Sequence, residues 1–319
     1  MPTITYQGKT YECNNEERLL YQLNQQGANL ASGCQGGHCH VCMIKVIKGE
    51  VPDQPQSDIK AEMKEKGYFL PCICKPESDF EIAPPERRDS FISANITSLD
   101  FITPSIIRLR TNLPANFDYK PGQFINLVRA KDGLARSYSL ASIPTDHQLE
   151  FHIRLFANGK MSGWIANDLQ CGDEMLMSEA KGNCCYQKTY ADRPLLLAGS
   201  GTGLAPLYGI LRDALTSGHQ SKIILLQGGR NSDELYYTEE LRQLADQYEN
   251  FSHIPCVLDG DAPDGGFSGP INELIPAQLA ADSNWAAFLC GDSGVVGLMR
   301  RSCFTHGVEA DDIHCDAFV

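Results

Sequence analysis

The apolar pattern changes character along the chain. In the middle, SFISANITSL, SIIRLRTNL, QFINLVRA and LEFHIRLF are rich in β-branched residues and alternate in polarity. Pro, Gly, Asn and Asp break them apart. A period of two with turn residues between predicts strands. Several in succession predict an antiparallel β-barrel of about a hundred residues. From Arg193 the texture is different. PLLLAGSG and KIILLQGG are apolar throughout, while APLYGILRDALTS and TEELRQLADQY carry a helical period. Strand alternating with helix predicts a parallel, doubly wound sheet. The proline-and-charge stretch APPERRDSF, residues 83–91, reads as a linker. The pattern therefore divides the chain into 1–86, 87–190 and 191–319. There is no internal repeat and no low-complexity tract.

Composition narrows the function classes. The chain has 319 residues and a formal net charge of −13. The acid is concentrated late: residues 189–319 hold 7 Lys/Arg against 18 Asp/Glu. No basic block occurs, which argues against nucleic acid and against an anionic membrane surface. No window approaches the roughly 18–20 apolar residues that span a bilayer. MPTITYQGKTYEC lacks the basic and apolar regions of a secretory leader. A cytoplasmic, reducing location is the expectation. There, 13 cysteines, an odd number, point to metal or redox chemistry rather than staples.

The densest stretch is SGCQGGHCHVC. Cys34, Cys39 and Cys42 make C-x4-C-x2-C, and Cys72 and Cys74 follow about thirty residues on. Three thiolates from one tight loop and a fourth from a distant strand is the plant-type [2Fe–2S] spacing. Gly33, Gly36 and Gly37 allow the wrap and let N–H groups point at sulfur. A zinc site of Cys39, Cys42, Cys72 and Cys74 is the alternative, but it leaves Cys34 without a role. Cys72 is the expected fourth ligand because it follows the apolar YFL. Cys74 is the expected buried bystander. Together with ERLLYQLNQQGANLASGC and CMIKVIKGEV, these residues resemble a plant-type ferredoxin domain, which implies a β-grasp fold. One position departs: His40 stands after the second ligand, where such domains usually carry glycine.

The middle segment holds Arg136-Ser137-Tyr138-Ser139, which matches the R-x-Y-S signature of the ferredoxin-NADP reductase superfamily. KPGQF precedes it. NGKMSGWIANDL follows, resembling the turn and helix that hold a flavin diphosphate. The resemblance implies FAD, with Arg136 on the diphosphate, Tyr138 against the ring and Ser139 toward flavin N5. Gly159, Lys160, Met161 and Ser162 would hold phosphate at a helix start; Ser162 as a plain N-cap is the bland alternative. In the last segment, LLLAGSGTGLAPL places Gly199, Gly201, Thr202 and Gly203 between a strand and a helix. Its pattern is closer to the superfamily's G-x-G-x-G-x-x-P than to the Rossmann fingerprint. In FLCGDSGVVGLM, Cys290 and Gly291 are implied near the nicotinamide, with a merely buried Cys290 as the alternative.

Cluster, flavin and nicotinamide signatures in this order resemble the reductase components of bacterial multicomponent oxygenases, of the benzoate dioxygenase reductase type. That implies electrons passing from NADH to FAD to the [2Fe–2S] cluster. The acceptor would be an oxygenase or an oxygenase-associated ferredoxin, and the reductase a monomer. Alternatives are a reductase for a deoxysugar dehydratase, a free-standing diaphorase, or a zinc-stapled flavin reductase. Arg230 beside Asp233 and Glu234 is a poor site for a 2′-phosphate, so NADH is expected over NADPH. The tail IHCDAFV is expected to return toward the flavin with Phe318 over the ring. Packing on its own sheet is the alternative.

Overall fold

The structure is a computed structural model, and it describes residues 1–54, 59–86, 91–263 and 265–318. Part of the expected linker, residues 87–90, and Val319 lie outside the described residues.

Three sheets carry the chain. The first contains β1 (Thr3–Tyr6), β2 (Lys9–Glu12), β3 (Ile44–Lys48), β4 (Tyr68–Phe69) and β5 (Phe80–Ala83), in the order β2-β1-β5-β3-β4. β1 runs antiparallel to β2 and parallel to β5. This is the β-grasp ferredoxin fold. Helix α1 (Leu19–Gln25) buries Leu19, Leu20 and Leu23 in a core with Ile4, Phe69 and Ile82. Its first N–H groups are held by distant carbonyls: Leu19 N–H donates to Cys74 at 2.7 Å and Leu20 N–H to Pro71 at 3.0 Å. The helix start therefore anchors the segment that carries Cys72. A short helix α2 (Ala61–Glu65) precedes β4.

The second sheet contains β6 (Ile92–Thr103), β7 (Ile106–Asn112), β8 (Phe124–Val128), β9 (Ala135–Ser139), β10 (Gln148–Arg154) and β11 (Glu174–Met177), ordered β10-β7-β6-β11-β8-β9. Just beyond β9, Leu140 bridges to Phe151 of β10, so the last strand returns to the first and the barrel closes. Helix α3 (Lys160–Asn167) follows β10.

The third sheet contains β12 (Leu195–Ser200), β13 (Ile223–Gly229), β14 (Phe251–Val257), β15 (Phe267–Ser268), β16 (Ala286–Asp292) and β17 (Ile313–Phe318). All its pairings are parallel, in the order β15-β14-β13-β12-β16-β17. Alternate residues serve opposite faces. Leu195, Leu197, Leu225 and Phe288 pack with α4 (Leu204–Thr216) and with Leu241 of α5 (Thr238–Gln247). Leu196, Ala198, Leu226 and Leu289 pack with α6 (Ile271–Leu279) and α7 (Ser293–Thr305). Burial on both faces is why these strands read as apolar throughout.

The chain forms two compact units. The first is Met1–Ser93 with Asn126–Ser137 and Met175–Glu179; the second is Ala94–Ile125, Tyr138–Glu174 and Ala180–Val319. Stretches of β8, β9 and β11 thus group with the ferredoxin sheet. Inside the second unit, a polar knot joins the barrel to the loop after β13. His152 is fully enclosed between Tyr236 OH at 2.9 Å and Glu150 Oε1 at 3.0 Å. The carboxylate only accepts, so His152 Nε2 carries the proton and Nδ1 accepts from Tyr236. Tyr237 OH donates to Glu150 Oε1 at 2.8 Å, and Arg110 pairs with the other carboxylate oxygen.

Candidate functional site

In the first unit the loop between α1 and β3 turns its N–H groups inward. Gly36 N–H and Cys39 N–H each donate to Cys34 Sγ at 3.4 Å, and Cys34 N–H donates to Cys39 Sγ at 3.3 Å. Contact with the Cys39 thiol, together with these N–H groups, lowers the Cys34 thiol. Contact with Cys42, aided by the Gly37 backbone and the charge of Arg18, lowers the Cys72 thiol. Cys39 and Cys42 are pushed up in turn by their partner thiols and by burial. Four thiols brought together, with backbone N–H groups turned toward sulfur, fit the four-thiolate donor set of a [2Fe–2S] cluster. Cys72, and not Cys74, meets Cys42. Cys74 is fully enclosed, and burial pushes its thiol up to about 12.

The wrap has conformational demands. His40 has φ +58°, the left-handed region. Glycine enters it freely, while another residue costs about 1–2 kcal/mol. That accounts for the glycine usual in ferredoxin domains here; this chain places a histidine in the same backbone shape.

Arg136 and Ser137 also belong to the first unit. Arg136 Nη1 donates to Ser32 O at 3.3 Å and to Ala135 O at 2.7 Å. Ser137 Oγ donates to Asn126 Oδ1 at 2.8 Å. Tyr138 and Ser139 begin the second unit's share of the motif. Tyr138 is half-buried. Ser139 is buried, and its Oγ donates to Asp316 Oδ2 at 2.8 Å. Asp316 was not singled out from the sequence. Its only signal was its place in the returning tail; the pairing spans 177 positions and has no local signature.

Gly159 precedes α3, whose first backbone bond runs from Gly163 N–H to Gly159 O at 2.8 Å. The N–H groups of Lys160, Met161 and Ser162 therefore have no partner within the helix, as an anion site requires. Ser162 is no N-cap: its hydroxyl accepts from Phe156 N–H at 3.3 Å and ties the helix to the strand end.

In the parallel sheet, the strand order reverses between β12 and β16. Ligands of open α/β sheets bind at the carboxyl ends of such a pair. Gly199, Gly201, Thr202 and Gly203 leave β12 there, and Cys290 and Gly291 end β16. The two ends touch so closely that a Cβ on Gly203 would collide with the Cys290 carbonyl. Gly291 has φ +123°, and a Cβ there would sit 2.6 Å from Ser200 O. Cys290 is fully buried, with its Sγ 3.8 Å from Cys184 Sγ. Burial raises its thiol strongly, so it is no thiolate nucleophile.

The tail is an edge strand. β17 pairs with β16 so that Asp316 lies opposite Cys290 and Phe318 opposite Asp292. Residues two apart share a face of a strand, so Phe318 is on the side from which Asp316 reaches Ser139. Beyond β13, Arg230 Nε donates to Asp259 Oδ2 at 3.1 Å, and Arg230 N–H donates to Glu234 at 3.2 Å.

Three family models match the chain. Residues 3–77 match a 2Fe-2S iron-sulfur cluster binding domain, 93–186 an oxidoreductase FAD-binding domain, and 196–301 an oxidoreductase NAD-binding domain. The first match decides between cluster and zinc. The chain is 30% identical to the ferredoxin–NAD(P)+ reductase component of the naphthalene 1,2-dioxygenase system of Pseudomonas putida, covering 94% of this chain and 93% of that one. It is 31% identical, with the same coverage, to the reductase component of the naphthalene 1,2-dioxygenase/salicylate 5-hydroxylase systems of a Ralstonia species. Among solved structures, a cytochrome P450 reductase from Amycolatopsis is 25% identical with a TM-score of 0.70, covering 100% of this chain and 99% of that one.

Proposed function

The chain belongs to the family of ferredoxin–NAD(P)+ reductase components of oxygenase systems, and on that premise we propose a role for each residue of its sites. The protein is an oxidoreductase with [2Fe–2S], FAD and nicotinamide as its groups. When bound, these groups turn a two-electron hydride into single electrons for an acceptor, through nicotinamide, flavin and cluster in that order.

The protein's share is holding and orienting. Cys34, Cys39, Cys42 and Cys72 hold the cluster, and the loop's N–H groups offset the charge on sulfur. In the first unit Arg136 would offer a cation to the flavin diphosphate, and in the second the N–H groups of residues 160–162 would offer an anion site at the start of α3. Tyr138 would lie against the ring, and Ser139 would stand beside N5 with its hydroxyl proton held by Asp316. Gly199–Gly203, Cys290 and Gly291 form the nicotinamide crevice. Phe318, on the same strand face as Asp316, would cover the ring and exclude water. The observation that carries this reading is the Ser139–Asp316 hydrogen bond, because Asp316 is also the residue paired with Cys290. One short strand thus brings the flavin-motif serine to the end of the nicotinamide crevice.

We assign NADH as the preferred donor. Arg230 is already matched to Asp259, and Asp233 and Glu234 lie beside it, so a 2′-phosphate would meet more acid than base. We place the protein in the cytoplasm, as a monomer that delivers electrons to an oxygenase or its ferredoxin. The 13 cysteines, none in a disulfide, suit a reducing compartment. Anaerobic titration with NADH should bleach flavin and cluster absorption together, and kcat/KM should be higher for NADH than for NADPH. Equal values would overturn the cofactor assignment. Cluster absorption that never bleaches would overturn the electron path.

A further inference from the structure

Asn126 lies in β8 with 4% of its surface exposed. Its backbone is fixed by Ser178: Asn126 N–H donates to Ser178 Oγ and Ser178 N–H donates to Asn126 O, both at 3.0 Å. Its side chain then reaches two ways. Nδ2 donates to the Cys39 carbonyl at 2.7 Å, and Oδ1 accepts from Ser137 Oγ at 2.8 Å. The carbonyl only accepts, so the orientation of the amide is determined. Every one of these residues belongs to the first unit. Two further ties run alongside, Arg136 to Ser32 O and an exposed Lys60–Glu179 pair, but neither is buried on both sides.

We propose that Asn126 is a positioning residue that sets the cluster loop against the strand of the flavin motif, and so governs delivery of electrons to the cluster. The proposal rests on reading Arg136–Ser139 as the flavin motif. Cys39 is the central ligand of the loop's three, and a loop with glycines at 33, 36 and 37 does not hold its own shape. A buried anchor on the Cys39 carbonyl fixes the loop where two ligands are adjacent. Displacement by about 1 Å is enough to cost a large factor in a reaction that depends on placement. One electron leaves the flavin for each cluster reduced, and the amide takes up no proton, so its role is geometric.

The test uses the full holoprotein with FAD and cluster loaded. Asn126→Ala removes both side-chain bonds. Asn126→Asp keeps an acceptor for Ser137 but sets a carboxylate oxygen against the Cys39 carbonyl. Ser137→Ala removes only the other end. Anaerobic stopped flow with NADH reads the rates of flavin and cluster bleaching, and hydrogen exchange reads amide protection in residues 33–42. In both Asn126 variants the ratio of cluster rate to flavin rate should fall about tenfold, the lower end of what loss of a ligand-orienting partner costs. Loop amides should exchange faster, and Ser137→Ala should lie between wild type and Asn126→Asp. An unchanged ratio in Asn126→Asp overturns the proposal, as does a fallen ratio with unchanged loop protection. If Asn126→Ala does not fold, the near-isosteric Asn126→Asp and the surface change Ser137→Ala still decide. Failure of the flavin-motif reading is distinct: wild type itself would lack flavin that NADH reduces.

Discussion

Replacing Asp316 by alanine removes the acceptor that orients Ser139. The bond is 2.8 Å long and shielded from water on the serine side. A hydrogen bond to a charged group contributes about 1.5–3 kcal/mol. If that orientation is needed when hydride arrives, the flavin reduction rate should fall roughly ten- to hundredfold, at about 1.4 kcal/mol per decade. Asp316→Asn keeps an oxygen acceptor and should retain most of the rate. It should also stabilise the protein. Burial raises the Asp316 carboxyl above its ordinary range, and the Ser139 hydroxyl lowers it only in part. A carboxyl raised in the folded state makes its ionised form a cost at neutral pH, which the amide removes. The assay is anaerobic stopped flow at saturating NADH, with bound FAD counted by absorbance, beside thermal melts at pH 7. Wild-type reduction by Asp316→Ala would refute the orienting role. Equal slowing in Asp316→Asn would show that charge, rather than orientation, matters.

Other outcomes are specific to single residues. Cys72→Ser should lose most of its iron and sulfide while Cys74→Ser keeps both, as metal analysis will show. Gly203→Ala should bind FAD normally yet raise KM for NADH at least about tenfold, since its Cβ would force β12 and β16 apart at the crevice. In acid, the Glu150 carboxyl is raised by burial but lowered overall by His152, Tyr237 and Arg110. Its folded pKa is depressed, so its contribution is complete above the unfolded carboxyl range and is lost as pH falls through the folded value. Glu150→Gln should therefore cost about 1–3 kcal/mol at pH 7 and flatten the loss of stability below about pH 4.3, followed by denaturant melts.

What the sequence disclosed was whatever repeats locally. Strand period, apolar runs and the spacing of Cys34, Cys39 and Cys42 are set by neighbours within a few positions. The three sheets and the cluster loop were legible for that reason. Asp316, Asn126 and Glu150 were not. Each is an ordinary polar residue until a partner far along the chain defines it, and single-sequence pattern carries no trace of that pairing. The tail lies between these cases. Its return toward the barrel was expected from resemblance. That it does so as a parallel edge strand, with Asp316 touching Ser139, depended on its register with β16.

The grouping of residues 126–137 and 175–179 with the first ninety or so has a bearing on how such genes recombine. A crossover in the stretch between ferredoxin and barrel segments would look harmless on a sequence map. It would instead deliver a foreign cluster loop to a resident Asn126, whose Cys39 partner lies 87 positions away. Chimeras that work should inherit the loop, β8 and the start of β11 from one parent. The buried side of the loop and its distant anchor would then behave as one inherited piece, whatever their separation along the chain.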